Sequence, residues 1–186
     1  MKNIKSNHKW VFHVTVMAFL ISVVLSIITN TVVNDLFVAV AFVVLILVIL
    51  LGIFFDVIGL AVATATEVPF HAKATKRLKG AKESIFLIRN ADKVSSFCND
   101  VIGDIAGVIS GGLAASIIIK IQTNLPGVNG AALNLMLTAF VSALTIGGKA
   151  YFKTIAINYS YNIVDKCGII IYNFLRIFRL NANEKR

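Results

Sequence analysis

Apolar residues fall along this chain in blocks of membrane-crossing length, divided by short polar stretches. Trp10 to Ile28 is the first block, long enough to span with some tilt. Thr29 to Asp35 predicts a short outside loop. Leu36 to Phe55, LFVAVAFVVLILVILLGIFF, is the most apolar block. Its Val, Ile and Leu do not alternate, a pattern shared with buried strands, but its length and surroundings predict a spanning helix. Asp56 interrupts it, and helical character continues through VIGLAVATATE. Ser95 to Ile119 and Ala131 to Gly148 are the third and fourth blocks. The turn-forming segment KIQTNLPGVNG lies between them.

Two mixed stretches complete the pattern. Pro69 breaks or starts a helix, and FHAKATKRLKGAKESIFLIRNADK follows. Lys73, Lys76, Arg77 and Lys79 are expected to line one helix at the membrane surface, which Gly80 ends or bends. Tyr151 to Leu180 mixes polar and apolar positions. Its apolar part, Gly168 to Phe178, is short for a span and is dotted with Tyr172, Asn173 and Arg176. It predicts an interfacial juxtamembrane helix, with a fifth span over 163–180 as the alternative. The fold expected is an all-α integral membrane protein with about four transmembrane helices plus juxtamembrane amphipathic helices. Residues 1–35 form an N-terminal anchor helix and outside loop, 36–180 the main transmembrane domain, and 181–186 a polar tail.

Composition agrees. Of 186 residues, 58% are hydrophobic and 15% charged, with mean hydropathy +0.84. A soluble domain is nearer half apolar and a quarter charged. The basic start before Trp10 resembles a signal peptide, but the apolar run is long for one and no A-x-A site follows, which favours an uncleaved anchor. The net charge of +9 is not spread evenly. With four spans, 17 of the 18 basic residues fall on one side, Lys120 being the exception. The positive-inside rule makes that side cytoplasmic. This predicts a multi-pass protein of the plasma membrane with both termini in the cytoplasm and the lipid bilayer, rather than nucleic acid, as its partner.

Chemistry-bearing residues are few. Cys98 and Cys167 sit in no CxxC pattern and read as unpaired thiols. His8, His13 and His71 are scattered, and neither a phosphate loop nor a nucleophile–base pair is present. No enzyme is expected. Two stripes stand out instead. Asp100 and Asp104 share a helical face with Gly103, Gly107 and Gly111; Gly52, Asp56, Gly59, Ala63 and Glu67 share another. Small residues let helices approach closely in a membrane, and carboxylates there face protein or a water cavity. Three readings stay open for Asp100 and Asp104: interfacial carboxylates in water, a salt bridge with Lys149 or Lys153, or the lining of a cation path.

Three motifs in order, ATATEVPF at 63–70, NDVIGDIAG at 99–107 and GGKAYFKTIA at 147–156, carry a family resemblance. Together they resemble the transmembrane domain of the CNNM/CorB/CorC magnesium transporters, over roughly residues 36 to 180. Thr64, Thr66 and Glu67 match that family's hydroxyl–glutamate signature. Ile102 and Gly103 match its isoleucine–glycine–asparagine motif, with Asp104 in place of asparagine. Gly148, Lys153, Thr154 and Ala156 match its third motif, with Lys149 in place of glutamate and Phe152 in place of proline. The family's cytosolic CBS domains have no counterpart here, and the first span is additional.

The resemblance implies a homodimer and a divalent cation, magnesium, as the bound or transported ion, with no organic cofactor. It assigns the metal to Thr64, Thr66, Glu67, Gly103 and Asp104, and the acidic stripes add Asp56 and Asp100. Magnesium needs oxygen ligands in near-octahedral geometry. Lys149 supplies none; at an effective dielectric near 20, its charge repels a dication 4 Å away by about 8 kcal/mol. The expectation is therefore twofold. The chain is a divergent CNNM/CorC-like protein for magnesium transport or homeostasis through an acidic intramembrane cavity. Alternatively, it is a non-transporting structural or regulatory membrane protein in which Lys149 pairs with Asp104 or Asp100 and replaces the ion.

Overall fold

A computed structural model describes the backbone of residues 4–35 and 37–183, and the side chains of 11–27 and 37–177. The basic start, Trp10, Arg179 and the last residues of the polar tail therefore lie outside the described side chains. No strand occurs among the described residues. Helices run in the order α1 (Ile4–Asp35), α2 (Val38–Thr64), α3 (Val68–Thr75), α4 (Ala81–Arg89) and α5 (Ala91–Ser96). A π-helical segment (Phe97–Gly103), α6 (Asp104–Asn124), α7 (Gly130–Asn158) and α8 (Ser160–Asn183) follow.

Among the described residues three helices are long and apolar enough to cross a membrane: Val38–Thr64, the continuous run Ala91–Asn124, and Gly130–Asn158. The apolar part of α1 with described side chains, Val11–Ile27, is shorter.

Several boundaries differ from the sequence expectation. The outside loop expected at Thr29 to Asp35 is helical, because no Gly or Pro stops α1 there. The chain re-enters a helix at once: the Phe37 carbonyl accepts from the amides of Val40 and Ala41. The turn after α6 shrinks to residues 125–129, where the Asn129 side chain accepts from the amides of Ala131 and Ala132 and caps α7. Helix α7 then continues ten residues past Gly148, so the whole GGKAYFKTIA motif is helical.

The basic segment differs most. Pro69 does open a helix, but α3 ends at Thr75. Arg77 takes a left-handed conformation (φ 53°) and Gly80 another (φ 79°). Of the four cations expected on one helix, only Lys73 lies within α3, Lys76 caps its end, and Arg77 and Lys79 lie in the turn to α4. Downstream, 160–183 forms one amphipathic helix, and its described residues contribute no candidate span.

The described chain divides into two compact units. The first comprises α1, α2 as far as Phe55, and residues 99–150. Its core is built on four-residue spacing. Ala41, Leu45, Ile49 and Ile53 of α2 are buried, as are Ile105, Ile109, Leu113 and Ile117 of α6. Burial of such side chains stabilises by about 1.5–3 kcal/mol each. Small residues set the helix separations: a Cβ on Gly52 would lie 2.9 Å from that of Ala106, and one on Gly148 would strike Ile53. Helix α1 packs along α6.

The second unit comprises 56–98 and the described residues from 151 onward. Its core is Ala61, Val62, Phe70, Leu87 and Val164, with Ile58, Ile85, Tyr161 and Ile171 packed around it. Helices α4 and α8 cross at near backbone contact. A Cβ on Gly80 would come within 2.6 Å of the Ile169 nitrogen, and Gly168 abuts Ser84.

Candidate functional site

Three ion pairs are described in the second unit. Glu67 sits in the turn between α2 and α3, at the N-cap of α3. Its Oε2 accepts from Arg89 Nε at 3.1 Å and lies 3.0 Å from His71 Nε2. The hydrogen bond from His71, followed by that from Arg89, holds the Glu67 carboxyl below its ordinary value. Lys73 Nζ donates to Asp165 Oδ2 at 2.7 Å and lies 5.2 Å from the centre of the Tyr161 ring. The Asp165 hydrogen bond raises the Lys73 ammonium above its ordinary value, and Tyr161 adds to the shift. Tyr161 in turn stacks against Phe70 at 5.0 Å. These pairs join α3 to α4 and to α8.

The residues expected to hold a metal are distributed over both units. Asp56, Thr64, Thr66 and Glu67 belong to the second; Asp100, Gly103, Asp104 and Lys149 belong to the first. Thr64 turns its hydroxyl back to the Leu60 carbonyl at 2.9 Å and to that of Ala61 at 3.3 Å, a local bond usual for helical threonine. Glu67 is engaged by Arg89 and His71. Asp100 and Asp104 are exposed, Gly103 is buried, and Asp56 and Lys149 are half-buried. Among the described residues no group of three or more His, Cys, Asp or Glu side chains gathers as a metal would require. Of the residues named for magnesium, Thr64 has its hydroxyl taken up by a back-bond and Glu67 its carboxylate by Arg89 and His71, where magnesium would ask for oxygens free to form one octahedral shell.

The small-residue stripe of α6 divides in two. Gly103 is buried, yet a Cβ on Gly107, Gly111 or Gly112 would meet nothing within 4 Å. Within the chain the stripe is open. Ahead of it lies the π-helical segment, which no sequence signal announced. There Asn99 Oδ1 is buried and finds no hydrogen-bond partner among the described residues.

A cleft of about 530 Å³ opens at the turn from α3 to α4, among charged side chains that make no ion pair with a described residue. Arg77, Leu78, Lys79, Gly80, Lys82, Glu83 and Tyr172 contribute to its lining. A smaller recess of about 120 Å³ shares Glu83 and Tyr172 and adds Leu175 and Arg176. The sequence showed these cations as a run but placed them along a helix; the left-handed backbone at Arg77 gathers them round an opening instead.

No family model, curated protein or solved structure matches this chain.

Proposed function

We propose that this protein is a multi-pass plasma-membrane protein of the CNNM/CorC-like kind that has a structural or regulatory role and does not transport ions. Four spans, cytoplasmic termini and a homodimer belong to this reading. The observation that carries it is Glu67: the one acidic residue of the hydroxyl–glutamate signature is tied to Arg89 and His71. A carboxylate paired with a guanidinium has little left to offer a hydrated dication. Lys149, half-buried in the same unit as Asp100 and Asp104, supplies in this reading the positive charge that a metal would otherwise bring. The open Gly107–Gly111 stripe offers the second copy a face of close approach.

A second reading, a magnesium path, is favoured by one observation. The π-helical segment carries Asn99, whose Oδ1 is buried without a described partner, next to Asp100 and one turn before Asp104. Wide helical turns of this kind recur at functional sites.

Liposomes loaded with a magnesium-sensitive dye separate the two. Wild-type protein is expected to match empty liposomes, and Asp104→Asn/Lys149→Glu to do the same or gain flux. Magnesium entry through the wild type above the empty control overturns the non-transporting reading in favour of the path.

A further inference from the structure

We infer that the cleft between α3 and α4 binds a phosphomonoester, with the phosphate held by Arg77, Lys79 and Lys82.

The lining is cationic and its cations are available. Lys73 and Arg89, close in sequence, are paired with Asp165 and Glu67. Arg77, Lys79 and Lys82 make no ion pair with a described carboxylate. The unit as a whole carries thirteen basic residues against six acidic ones, so no excess of carboxylates competes for them.

Backbone geometry fixes where these charges stand. A non-glycine residue in the left-handed region is disfavoured by about 1–3 kcal/mol and persists where its surroundings determine it. Arg77 is such a residue, at φ 53°, and Gly80 follows at φ 79°. Gly80 is locked there by the backbone of α8 at Gly168 and Ile169. The turn therefore holds Arg77, Lys79 and Lys82 on one opening by the same crossing that holds the unit together. Helix α4 begins in this lining with no side-chain cap. The Ala81 amide is taken by the Leu78 carbonyl, and the positive end of the α4 dipole adds to the field of the cations.

The rest of the lining specifies more than an ion. Glu83 and Arg176 offset one another where the cleft meets the adjoining recess, whereas Arg77, Lys79 and Lys82 face no carboxylate in the lining but Glu83, which favours their end for the phosphate. Glu83 and the Tyr172 hydroxyl then face the alcohol part of an ester. At about 530 Å³ the cleft is several times larger than a phosphate and within the range of small-molecule sites. Leu78, 51% exposed, and Leu175, 47% exposed, stand in the cleft and its adjoining recess. They would meet the apolar part of the ester. A lipid headgroup of the phosphatidic acid type and a soluble sugar or glycerol phosphate share this chemistry.

The full-length protein in neutral detergent micelles is titrated with glycerol phosphate, with dioctanoyl phosphatidic acid and with dioctanoyl phosphatidylserine, reading ³¹P line width. Binding of either phosphomonoester, with phosphatidylserine at least about tenfold weaker, is expected, since the diester offers fewer charge-assisted contacts. Glycerol phosphate binding as tightly as phosphatidic acid identifies a soluble ligand; phosphatidic acid alone identifies a lipid. Lys79→Gln/Lys82→Gln should weaken binding about tenfold or more. Arg77→Gly should also weaken it with no loss of melting temperature, because glycine suits the left-handed backbone. Lys153→Gln/Lys166→Gln, exposed cations outside the cleft, should leave it unchanged. Absence of phosphomonoester binding overturns the inference. So does equal binding of phosphatidylserine, or equal weakening by Lys153→Gln/Lys166→Gln.

Discussion

The hydroxyl of Ser84 donates to the backbone carbonyl of Val164 at 3.2 Å, and both residues are fully buried. The bond crosses from α4 to α8, with Gly80 and Gly168 flanking it at near backbone contact. Two helices far apart in sequence thus meet with little more than the Ser84 hydroxyl between them. A buried hydroxyl with its bond satisfied tolerates this closeness, whereas an unsatisfied one is unfavourable by about 1–3 kcal/mol.

This crossing has no slack. Gly168→Ala and Gly80→Ala should each destabilise the protein by about 1–3 kcal/mol through overpacking. Gly80→Ala should be the worse, because alanine also resists φ 79°. Gly147→Ala, where a Cβ meets nothing within 4 Å, should be neutral or slightly stabilising. Thermal unfolding in detergent, followed by circular dichroism, ranks the three.

The Lys73–Asp165 bridge should register in alkaline solution. Folding raises the Lys73 value, so its contribution is fully present below the ordinary value of 10.5 and disappears as pH climbs through the higher folded value. Asp165→Asn should lower stability by about 1–2 kcal/mol at neutral pH. Melting temperatures of wild type and variant should stay apart up to about the ordinary lysine value and converge above it.

Glu67 works in the opposite direction. Folding lowers its value below 4.5, so its stabilising effect is present above that pH and fades as pH falls through the lower folded value. The carboxyl carbon resonance of Glu67 should titrate below the ordinary glutamate range. Removing either partner, by His71→Ala or Arg89→Gln, should move the midpoint back up. An unchanged midpoint in both variants would contradict the contacts at 3.0 and 3.1 Å.

The exposed face of α6 makes a separate claim on assembly. If a second copy packs on the Gly107–Gly111 stripe, Gly111→Leu should shift the protein from dimer to monomer without changing its helix content. Light scattering of the detergent complex, corrected for bound detergent, reads this. A wild-type monomer, or a leucine variant that still dimerises, removes the stripe from the interface.

Much of the fold was legible from hydropathy alone. The helices at Val38–Thr64, Ala91–Asn124 and Gly130–Asn158 contain the second apolar block from Val38 on and the whole of the third and fourth, because such runs allow little else than helix. Pro69 correctly marked the start of α3. Ends were harder to read: Thr29 to Asp35 is polar, but polarity alone does not unwind a helix. The turn at Arg77 was invisible because arginine gives no sign of a left-handed conformation; the contact of the same turn with α8 is made three residues on, at Gly80. The same holds for Glu67. Its partner Arg89 lies 22 residues on, and only the packing of α3 on α4 brings the two together. The acidic stripe was drawn on an ideal α-helical wheel, and that wheel does not apply at its first member, Asp100.

The π-helical segment Phe97–Gly103 explains why. Its hydrogen bonds close over five residues where an α-helix closes over four, so it accommodates one residue more than a regular turn would. In evolutionary terms the segment behaves as a one-residue insertion absorbed within a helix. Deleting a single residue there should convert it to ordinary helix. In a comparison with any chain whose helix is regular here, a one-residue gap belongs inside this long apolar helix rather than in a loop.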